Sequence, residues 1–87
     1  MEFEWDEAKR LSNLIKHGLD FAEVEKLDWR AAHIGRDARF DYGEDRFTAY
    51  GVVDDVLMVV IFTWRGETMR IVSLRRANRK ERVRYGR

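Results

Sequence analysis

The sequence predicts an α+β fold with two N-terminal helices, a small antiparallel sheet and a basic C-terminal helix. Apolar residues at helical spacing occupy the first third of the chain, and apolar segments separated by short turns occupy the middle. Helices and strands segregated in this way are typical of the α+β class. At 87 residues, the chain is expected to form one domain that spans residues 1–87.

The N-terminal segment predicts a short strand followed by a helix. Phe3 and Trp5 alternate with glutamates, which is typical of a strand. Asp6 is a suitable N-cap for a helix that runs to about residue 16 or 17, and Gly18 favours a left-handed end. The helix has an apolar stripe, of the kind that packs on a core, made of Ala8, Leu11, Leu14 and Ile15. Its other side presents Lys9, Asn13 and either Lys16 or His17.

A second short helix is predicted directly after Gly18. Asp20 and Glu23 fit a variant of the capping box, which marks a helix N-terminus. The apolar face of this helix consists of Phe21, Val24 and Leu27.

The middle of the chain predicts the strands of the sheet, at residues 29–34, 47–53, 56–64 and 68–74. Asp54 and Asp55 form a tight turn between two of them, and residues 35–45 are predicted to be a loop. The segment 56–64 is almost continuously apolar, as expected of a central strand covered on both faces. Four aromatic residues are assigned to the core: Trp5, Phe21, Phe47 and Phe62.

The predicted strand 68–74 contains an arginine on an otherwise apolar face. Strict alternation places Arg70, Val72 and Leu74 on one face and Met69 and Ile71 on the other. A half-buried arginine needs a partner, so a structural ion pair is favoured for Arg70, with membership of an anion site as the alternative.

Positive charge is concentrated at the C-terminal end. Residues 1–43 contain 7 basic and 10 acidic side chains, whereas residues 44–87 contain 10 basic and 6 acidic ones. From residue 65 onward there are nine basic side chains, eight of them arginines, against two glutamates. Guanidinium groups bind phosphate through paired hydrogen bonds, so this surface favours an anionic partner, most of all RNA. The alternative is a solvated helix that pairs with the acidic first half.

Arg75 and Arg76 lead from the last strand into the basic helix, which Asn78 and Glu81 cap at about residues 79–85. Two guanidiniums beside a helix N-terminus predict a phosphate site, to which Arg65 in the preceding turn is a candidate addition. The alternative is that one of the two arginines pairs with Glu81.

The chain offers two candidates for proton transfer. His17, at the end of the first helix, either stabilises the helix C-terminus or acts as a general acid or base. Tyr85 stacks on a base or assists proton transfer in one interpretation, and anchors the last helix together with Val83 in the other. His33 lies on a weak strand without a companion motif and receives no role.

Several function classes lack any sequence support. The chain has no Cys, no P-loop, no dinucleotide-binding glycine motif and no nucleophile elbow, so no metal or cofactor is expected. It also lacks a signal-peptide pattern and any apolar run long enough to span a membrane, and we expect a cytoplasmic protein. RNA cleavage remains compatible, because the 2′-hydroxyl can attack the adjacent phosphorus when side chains position it and stabilise the developing charge.

One series of residues extends over nearly the whole chain. It begins with Phe3-Glu4-Trp5-Asp6-Glu7-Ala8-Lys9, Asn13, Lys16-His17-Gly18 and Phe21. It continues with Glu44, Arg46-Phe47, Gly51, Leu57, Val59-Val60, Phe62-Thr63 and Arg65. It ends with Arg70-Ile71, Ser73, Arg75-Arg76-Ala77, Glu81-Arg82 and Tyr85. In order and spacing, this series resembles the BrnT family of small ribonuclease toxins from type II toxin–antitoxin pairs.

The resemblance implies a RelE-like fold, in which helices pack on one side of a compact antiparallel sheet. It also implies a metal-independent endoribonuclease that blocks translation and is neutralised by a cognate antitoxin. That antitoxin would supply a ribbon-helix-helix domain that binds DNA, within an oligomeric complex. The alternative function is a non-catalytic module that binds nucleic acid or protein through the basic surface.

The candidate site residues fall into two groups. Phosphate binding and proton transfer are assigned to His17, Arg65, Arg75, Arg76 and Tyr85. RNA binding is assigned to Lys9, Lys16, Arg79 and Arg82.

Overall fold

The computed structural model describes residues 1–37 and 42–87 and shows one five-stranded sheet with the strand order β1-β5-β4-β3-β2. The strands are β1 Glu2–Trp5, β2 His33–Asp37, β3 Arg46–Val53, β4 Val56–Arg65 and β5 Thr68–Arg76. The helices are α1 Glu7–His17, a 3₁₀ helix Phe21–Lys26 and α2 Arg79–Arg84. Within the described residues, no helix is long and apolar enough to cross a membrane.

The predicted antiparallel sheet is wrong, because β1 lies parallel to β5 and the sheet is therefore mixed. The pairing brings Phe3 beside Met69 and Trp5 beside Ile71, and both aromatic residues pack against the main core. Burial of these two side chains at the outer edge of β5 explains the position of β1. The other three strand pairs are antiparallel, as predicted.

The prediction of two N-terminal helices is also wrong, because the chain has one N-terminal α-helix and the segment after it is a 3₁₀ helix of six residues. Phe21, Val24 and Leu27 recur every three residues, which matches the three residues per turn of a 3₁₀ helix. All three are buried against the sheet. A side chain at Gly51 would collide with Leu27, whose Cδ2 would lie 2.4 Å from an added Cβ. The 3₁₀ helix thus closes the main core.

Helices lie on both faces of the sheet, so the implied arrangement of a RelE-like fold, with helices on one side, is wrong as well. The main core contains Leu19, Phe21, Val24, Leu27, Phe62, Met69, Ile71 and Leu74. A second cluster on the other face contains Leu57, Val59 and Ala77, with Tyr50, Val52 and Tyr85 packed against it. Tyr85 follows α2 and anchors that helix, whereas Val83 is exposed. The predicted core aromatics Trp5, Phe21, Phe47 and Phe62 are confirmed.

Helix α1 does not present its apolar stripe to the core. Leu11, Leu14 and Ile15 are 47%, 38% and 87% exposed, and only Asn13 is buried on this helix. Since β1 pairs with β5 only as far as Ile71, the edge of β5 beyond that point needs other partners.

The Asn13 side chain takes the place of a neighbouring strand at this edge. Its Oδ1 accepts from the Leu74 amide at 3.1 Å, and its Nδ2 donates to the Leu74 carbonyl at 2.8 Å. Nδ2 also donates to the Leu19 carbonyl at 3.1 Å. These three bonds fix α1 with its polar side toward the sheet, which turns the apolar stripe outward.

A bulge in β5 changes which residues face the core. Ile61 pairs with Ser73, but the next residue, Phe62, pairs with Ile71, so Val72 is an extra residue on β5. Leu74 therefore joins Met69 and Ile71 in the main core, and the predicted strict alternation is wrong. The bulge also places Ser73 and Arg75 on the opposite face, beside Ile61 and Val59.

The predicted helix ends and the hairpin turn are confirmed. Asp6 accepts from the Lys9 amide, and Gly18 ends α1 with φ of 69°. Asn78 and Glu81 form a reciprocal capping box at the start of α2. Asp54 and Asp55 both have positive φ, as required in a two-residue turn between twisted strands. Strand β2 begins and ends later than predicted, and residues 38–41 of the predicted loop lie outside the described residues.

Candidate active site

A cleft of about 600 Å³ lies on the sheet face between β2 and α2. We call it the β2–α2 cleft. Its polar lining includes His33, Tyr50, Arg75, Glu81, Arg84 and Tyr85. Residues from four strands and one helix converge here, although they are far apart in the sequence.

Strand register brings the floor of the cleft together in one cross-strand row. His33 pairs with Tyr50, Tyr50 with Val59, and Val59 with Arg75. Directly paired residues have Cβ atoms about 5 Å apart, so the row presents a histidine, a tyrosine and an arginine across four strands. Val59 is fully buried and forms the apolar base between Tyr50 and Arg75.

Glu81 and Tyr85 extend from α2 over this row, because residues four apart lie on the same side of a helix. Arg75 donates from Nη1 to Glu81 Oε1 at 2.7 Å and from Nη2 to Oε2 at 2.9 Å. The Asn78 amide also donates to Glu81 Oε1 at 2.8 Å. The predicted alternative of an Arg75–Glu81 pair is thus confirmed, and it holds Arg75 in a fixed direction.

The electrostatic environment of this pair favours the charged carboxylate. Hydrogen bonding from Arg75 lowers the pKa of Glu81 below its ordinary value, with a further contribution from the Asn78 amide. Burial and the nearby Glu81 charge raise the pKa of Tyr50. At neutral pH the cleft therefore holds an ionised carboxylate and a protonated tyrosine beside a guanidinium.

Tyr85 is the aromatic centre of the cleft. Its ring centroid lies 4.6 Å from that of His33 and 4.6 Å from that of Tyr50, with interplanar angles of 32° and 29°. The Arg84 guanidinium carbon lies 5.4 Å from the centroid of Tyr85. The cavity is thus lined by a histidine ring, two tyrosines and three arginines.

A second groove, of about 230 Å³, lies between α1 and β5, and we call it the α1–β5 groove. Its lining includes Lys9, Ser12, Lys16, His17 and Ser73. Ser73 is the direct partner of Ile61, which lines the β2–α2 cleft, so the two concavities are neighbours across the β4–β5 pair. Arginines line one concavity and lysines line the other.

The pKa of His17 disfavours the interpretation that a charged His17 stabilises the C-terminus of α1. Burial lowers the pKa of its imidazole, and the positive charges of Lys16 and Arg75 lower it further. A cation stabilised by a helix C-terminus has a raised pKa instead. The Arg76 guanidinium donates to the His17 carbonyl at 3.2 Å and satisfies part of that helix end.

The remaining predicted site residues lie outside the β2–α2 cleft. Arg76 is directed toward α1, and Arg65 lies six residues beyond Val59 on β4, roughly 20 Å from the cross-strand row. Arg65 lies 3.7 Å from Glu44, and the Arg82 guanidinium donates to the Ala77 carbonyl at 3.0 Å. Arg79 is exposed on the first turn of α2. Arg70 forms the predicted ion pair, with Glu4 at 2.6 Å.

Sequence reasoning missed His33 and Tyr50. The signal for Tyr50 was the strand alternation, in which Thr48, Tyr50 and Val52 lie on the face opposite Ala49. His33 gains its importance only from strand register, which cannot be read without knowing that β2 pairs with β3. Among residues 1–37 and 42–87, no three His, Cys, Asp or Glu side chains form a group that could hold a metal ion.

A family model described as the ribonuclease toxin BrnT of type II toxin–antitoxin systems matches residues 5–81. The chain belongs to the BrnT family. No curated protein shows significant similarity to it. As a BrnT-family protein it is the ribonuclease toxin of a toxin–antitoxin pair, with RNA as its target and an antitoxin as its partner, and this part of the sequence prediction is confirmed. Arg82 and Tyr85 lie beyond the matched residues of this BrnT-family toxin.

Proposed function

We propose that this toxin cleaves RNA in the β2–α2 cleft without a metal ion and thereby blocks translation in the cytoplasm. The observation that supports this site is the cross-strand row of His33, Tyr50, Val59 and Arg75, covered by Tyr85. The cleft contains a guanidinium for the phosphate and a tyrosine able to transfer a proton, and His17 lies in the neighbouring α1–β5 groove.

In the proposed reaction the RNA supplies its own nucleophile. The 2′-hydroxyl oxygen attacks the adjacent phosphorus, and the bond from phosphorus to the 5′-oxygen of the next nucleotide breaks. The products are a 2′,3′-cyclic phosphate and a free 5′-hydroxyl. Negative charge builds on the non-bridging oxygens during the attack, and a guanidinium held in place lowers the energy of that state. We assign this role to Arg75, which Glu81 orients.

Proton transfer is assigned to His17 and Tyr85. Because its pKa is lowered, the imidazole of His17 is mainly neutral at pH 7 and is suited to accept the 2′-hydroxyl proton. Tyr85, which lines the same cleft as Arg75, is assigned to donate a proton to the leaving 5′-oxygen. The pairing of Ser73, which lines the α1–β5 groove, with Ile61, which lines the cleft, supports the proximity of His17 to the proposed phosphate position.

The RNA strand is proposed to extend from the cleft along the basic surface. Lys9 and Lys16 line the α1–β5 groove and are assigned to phosphates on that side. Arg79 and Arg82 on α2 are assigned to phosphates on the other side. Arg65 and Arg76 are not assigned to the phosphate in this proposal, because Arg65 lies near Glu44 and the Arg76 guanidinium donates to the His17 carbonyl.

The antitoxin is proposed to carry a ribbon-helix-helix domain that binds DNA, so the toxin reaches DNA only through its partner. The complex is proposed to contain more than one copy of each chain, because ribbon-helix-helix domains act as dimers on two-fold DNA sites.

The decisive experiment uses toxin purified free of its antitoxin, in EDTA, with a short RNA that it cleaves. A matched RNA with a single 2′-O-methyl group at the cleaved position lacks the nucleophile. We expect cleavage of the first RNA to a 2′,3′-cyclic phosphate and no cleavage of the second at that position. Cleavage of both RNAs, or binding of RNA with a steep salt dependence and no turnover, would contradict the proposed reaction.

A further inference from the structure

The outward side of α1 is apolar in a molecule whose main core is already closed by the 3₁₀ helix. The α1 stripe, which consists of Ala8, Leu11, Leu14 and Ile15, lies on this side, and Ile15 is 87% exposed. The stripe repeats at the three- and four-residue spacing of a helix face and covers about two turns. Such a face on a small protein is typical of a surface that a partner helix covers.

The charges beside the stripe differ on its two sides. Lys9 and Lys16 lie on the side of the α1–β5 groove, and neither ammonium has a hydrogen-bond or ion-pair partner among the described residues. On the other side, Arg10 is already paired with Glu7 and with Asp20. A partner that covers the stripe would therefore place carboxylates along one side only, against the two lysines.

We propose that the α1 stripe is the docking surface for an amphipathic helix of the antitoxin, whose apolar face is bordered by acidic residues that reach Lys9 and Lys16. This proposal rests on the family assignment, which supplies a protein partner, and it goes beyond the proposed catalytic cleft. An acidic helix in this position would occupy part of the α1–β5 groove and compete with an RNA strand for the same lysines.

Charge favours the antitoxin over a second copy of this chain. Helix α1 contains Lys9, Arg10 and Lys16 against a single Glu7. Two α1 helices packed antiparallel through their stripes would bring Lys9 and Lys16 of one copy near those of the other, which disfavours association, whereas an acidic partner helix complements both lysines. A helix contact of two turns buries less area than most stable interfaces do. The partner helix must therefore contact more than the stripe, and Lys9 and Lys16 beside the stripe provide the additional contacts.

The test measures binding of the purified toxin to its cognate antitoxin by calorimetry, for the parent and for Ile15→Glu. Ile15 is exposed, so the substitution is expected to leave the thermal midpoint and RNA cleavage by the free toxin unchanged. We expect the antitoxin Kd to rise by at least ~30-fold, as for loss of a central apolar contact at an interface. Val56→Glu, at another exposed apolar position on β4, is the matched control and should bind as the parent does.

Lys9→Glu together with Lys16→Glu tests the charged side of the proposed interface. We expect weaker antitoxin binding and a smaller dependence of the Kd on salt than in the parent. Antitoxin binding by Ile15→Glu with the parent Kd would overturn the proposal. A second result would also overturn it: the parent toxin is a dimer in sedimentation experiments, whereas Ile15→Glu is a monomer with unchanged antitoxin affinity. The stripe would then be a contact between two copies of the toxin. Antitoxin binding is measured without RNA, so these results test the docking surface independently of whether the proposed cleavage site is correct.

Discussion

Arg75 and Arg76 are consecutive in the sequence but act on opposite faces of the sheet. Arg75 forms a two-point ion pair with Glu81 in the β2–α2 cleft, whereas Arg76 donates to the His17 carbonyl at the end of α1. Neighbouring strand residues point in opposite directions, so two adjacent arginines at the end of β5 cannot form one phosphate clamp. The pair is therefore a natural matched comparison.

Arg75→Ala is expected to lower kcat for RNA cleavage by about 10²–10³-fold, because it removes the guanidinium that stabilises the developing phosphate charge. Arg76→Ala removes the same charge from the adjacent position together with the hydrogen bond to the His17 carbonyl, and it should lower kcat much less than Arg75→Ala does. Single-turnover cleavage with saturating toxin measures both. Equal losses in the two variants would show that net charge, and not the position of Arg75, determines the rate.

Tyr85→Phe is expected to lower kcat by about 10²-fold, the usual contribution of a general acid, while the protein remains folded. The variant keeps the ring that packs between His33 and Tyr50 and removes only the hydroxyl. Tyr50→Phe removes a hydroxyl from the neighbouring ring and is the control, with a much smaller expected loss. A Tyr85→Phe variant with parent kcat would limit Tyr85 to anchoring α2.

Glu81→Gln is expected to destabilise the protein at pH 7 by about 1–2 kcal/mol, since it removes the charged partner of Arg75. The folded-state pKa of Glu81 lies below its ordinary value of 4.5, so ionised Glu81 stabilises the fold above that pH. This contribution is lost as the pH falls from about 4.5 through the lower folded-state pKa. Urea unfolding over a pH series should therefore show a smaller acid-induced loss of stability for Glu81→Gln than for the parent.

Glu67→Gln is the control for that experiment. Glu67 is exposed in the β4–β5 turn and has no hydrogen-bond or ion-pair partner among the described residues. The substitution should leave both the stability at pH 7 and the acid dependence close to those of the parent. If the two variants behave alike, the Arg75–Glu81 pair contributes nothing measurable to folding.

Local signals in the sequence predicted the ends of the helices and the central hairpin. Asp6, Gly18 and the Asn78–Glu81 capping box act on residues within one turn, so their effect is independent of the rest of the fold. The continuous apolar segment of β4 was likewise sufficient to identify a central strand. The parallel pairing of β1 with β5 was not predictable in this way, because it depends on which edge of the finished sheet has room for Phe3 and Trp5.

The site was predicted only in part for the same reason. Arg75 and Tyr85 were recognised by their chemistry, but the bulge at Val72 determines that Arg75 faces the cleft. His33 and Tyr50 join them through strand register alone. The helical pattern of Leu11, Leu14 and Ile15 predicted a core-facing stripe, and three hydrogen bonds of one polar residue, Asn13, reversed the orientation of the helix.

Asn13→Ala is expected to destabilise the protein by about 2–4 kcal/mol. The substitution leaves the Leu74 amide, the Leu74 carbonyl and the Leu19 carbonyl without their hydrogen-bond partner at a buried position. Ser12→Ala, on the same helix but exposed, is the control and should change stability by less than about 0.5 kcal/mol. Urea unfolding with an unchanged m-value measures the difference. A loss as small as that of Ser12→Ala would mean that α1 is held to the sheet by other contacts.

The pH dependence of cleavage tests the assignment of His17 as general base. The base acts in its neutral form, so log(kcat/KM) should rise with pH up to the pKa of His17 and then level off. Burial and the charges of Lys16 and Arg75 lower that pKa below 6.5, which places the level region at neutral pH. In His17→Ala the rate should fall about 10²-fold and the acidic limb should disappear. His33→Ala is the control and should keep the acidic limb. If the limb instead persists in His17→Ala and disappears in His33→Ala, the general base is His33 of the cross-strand row.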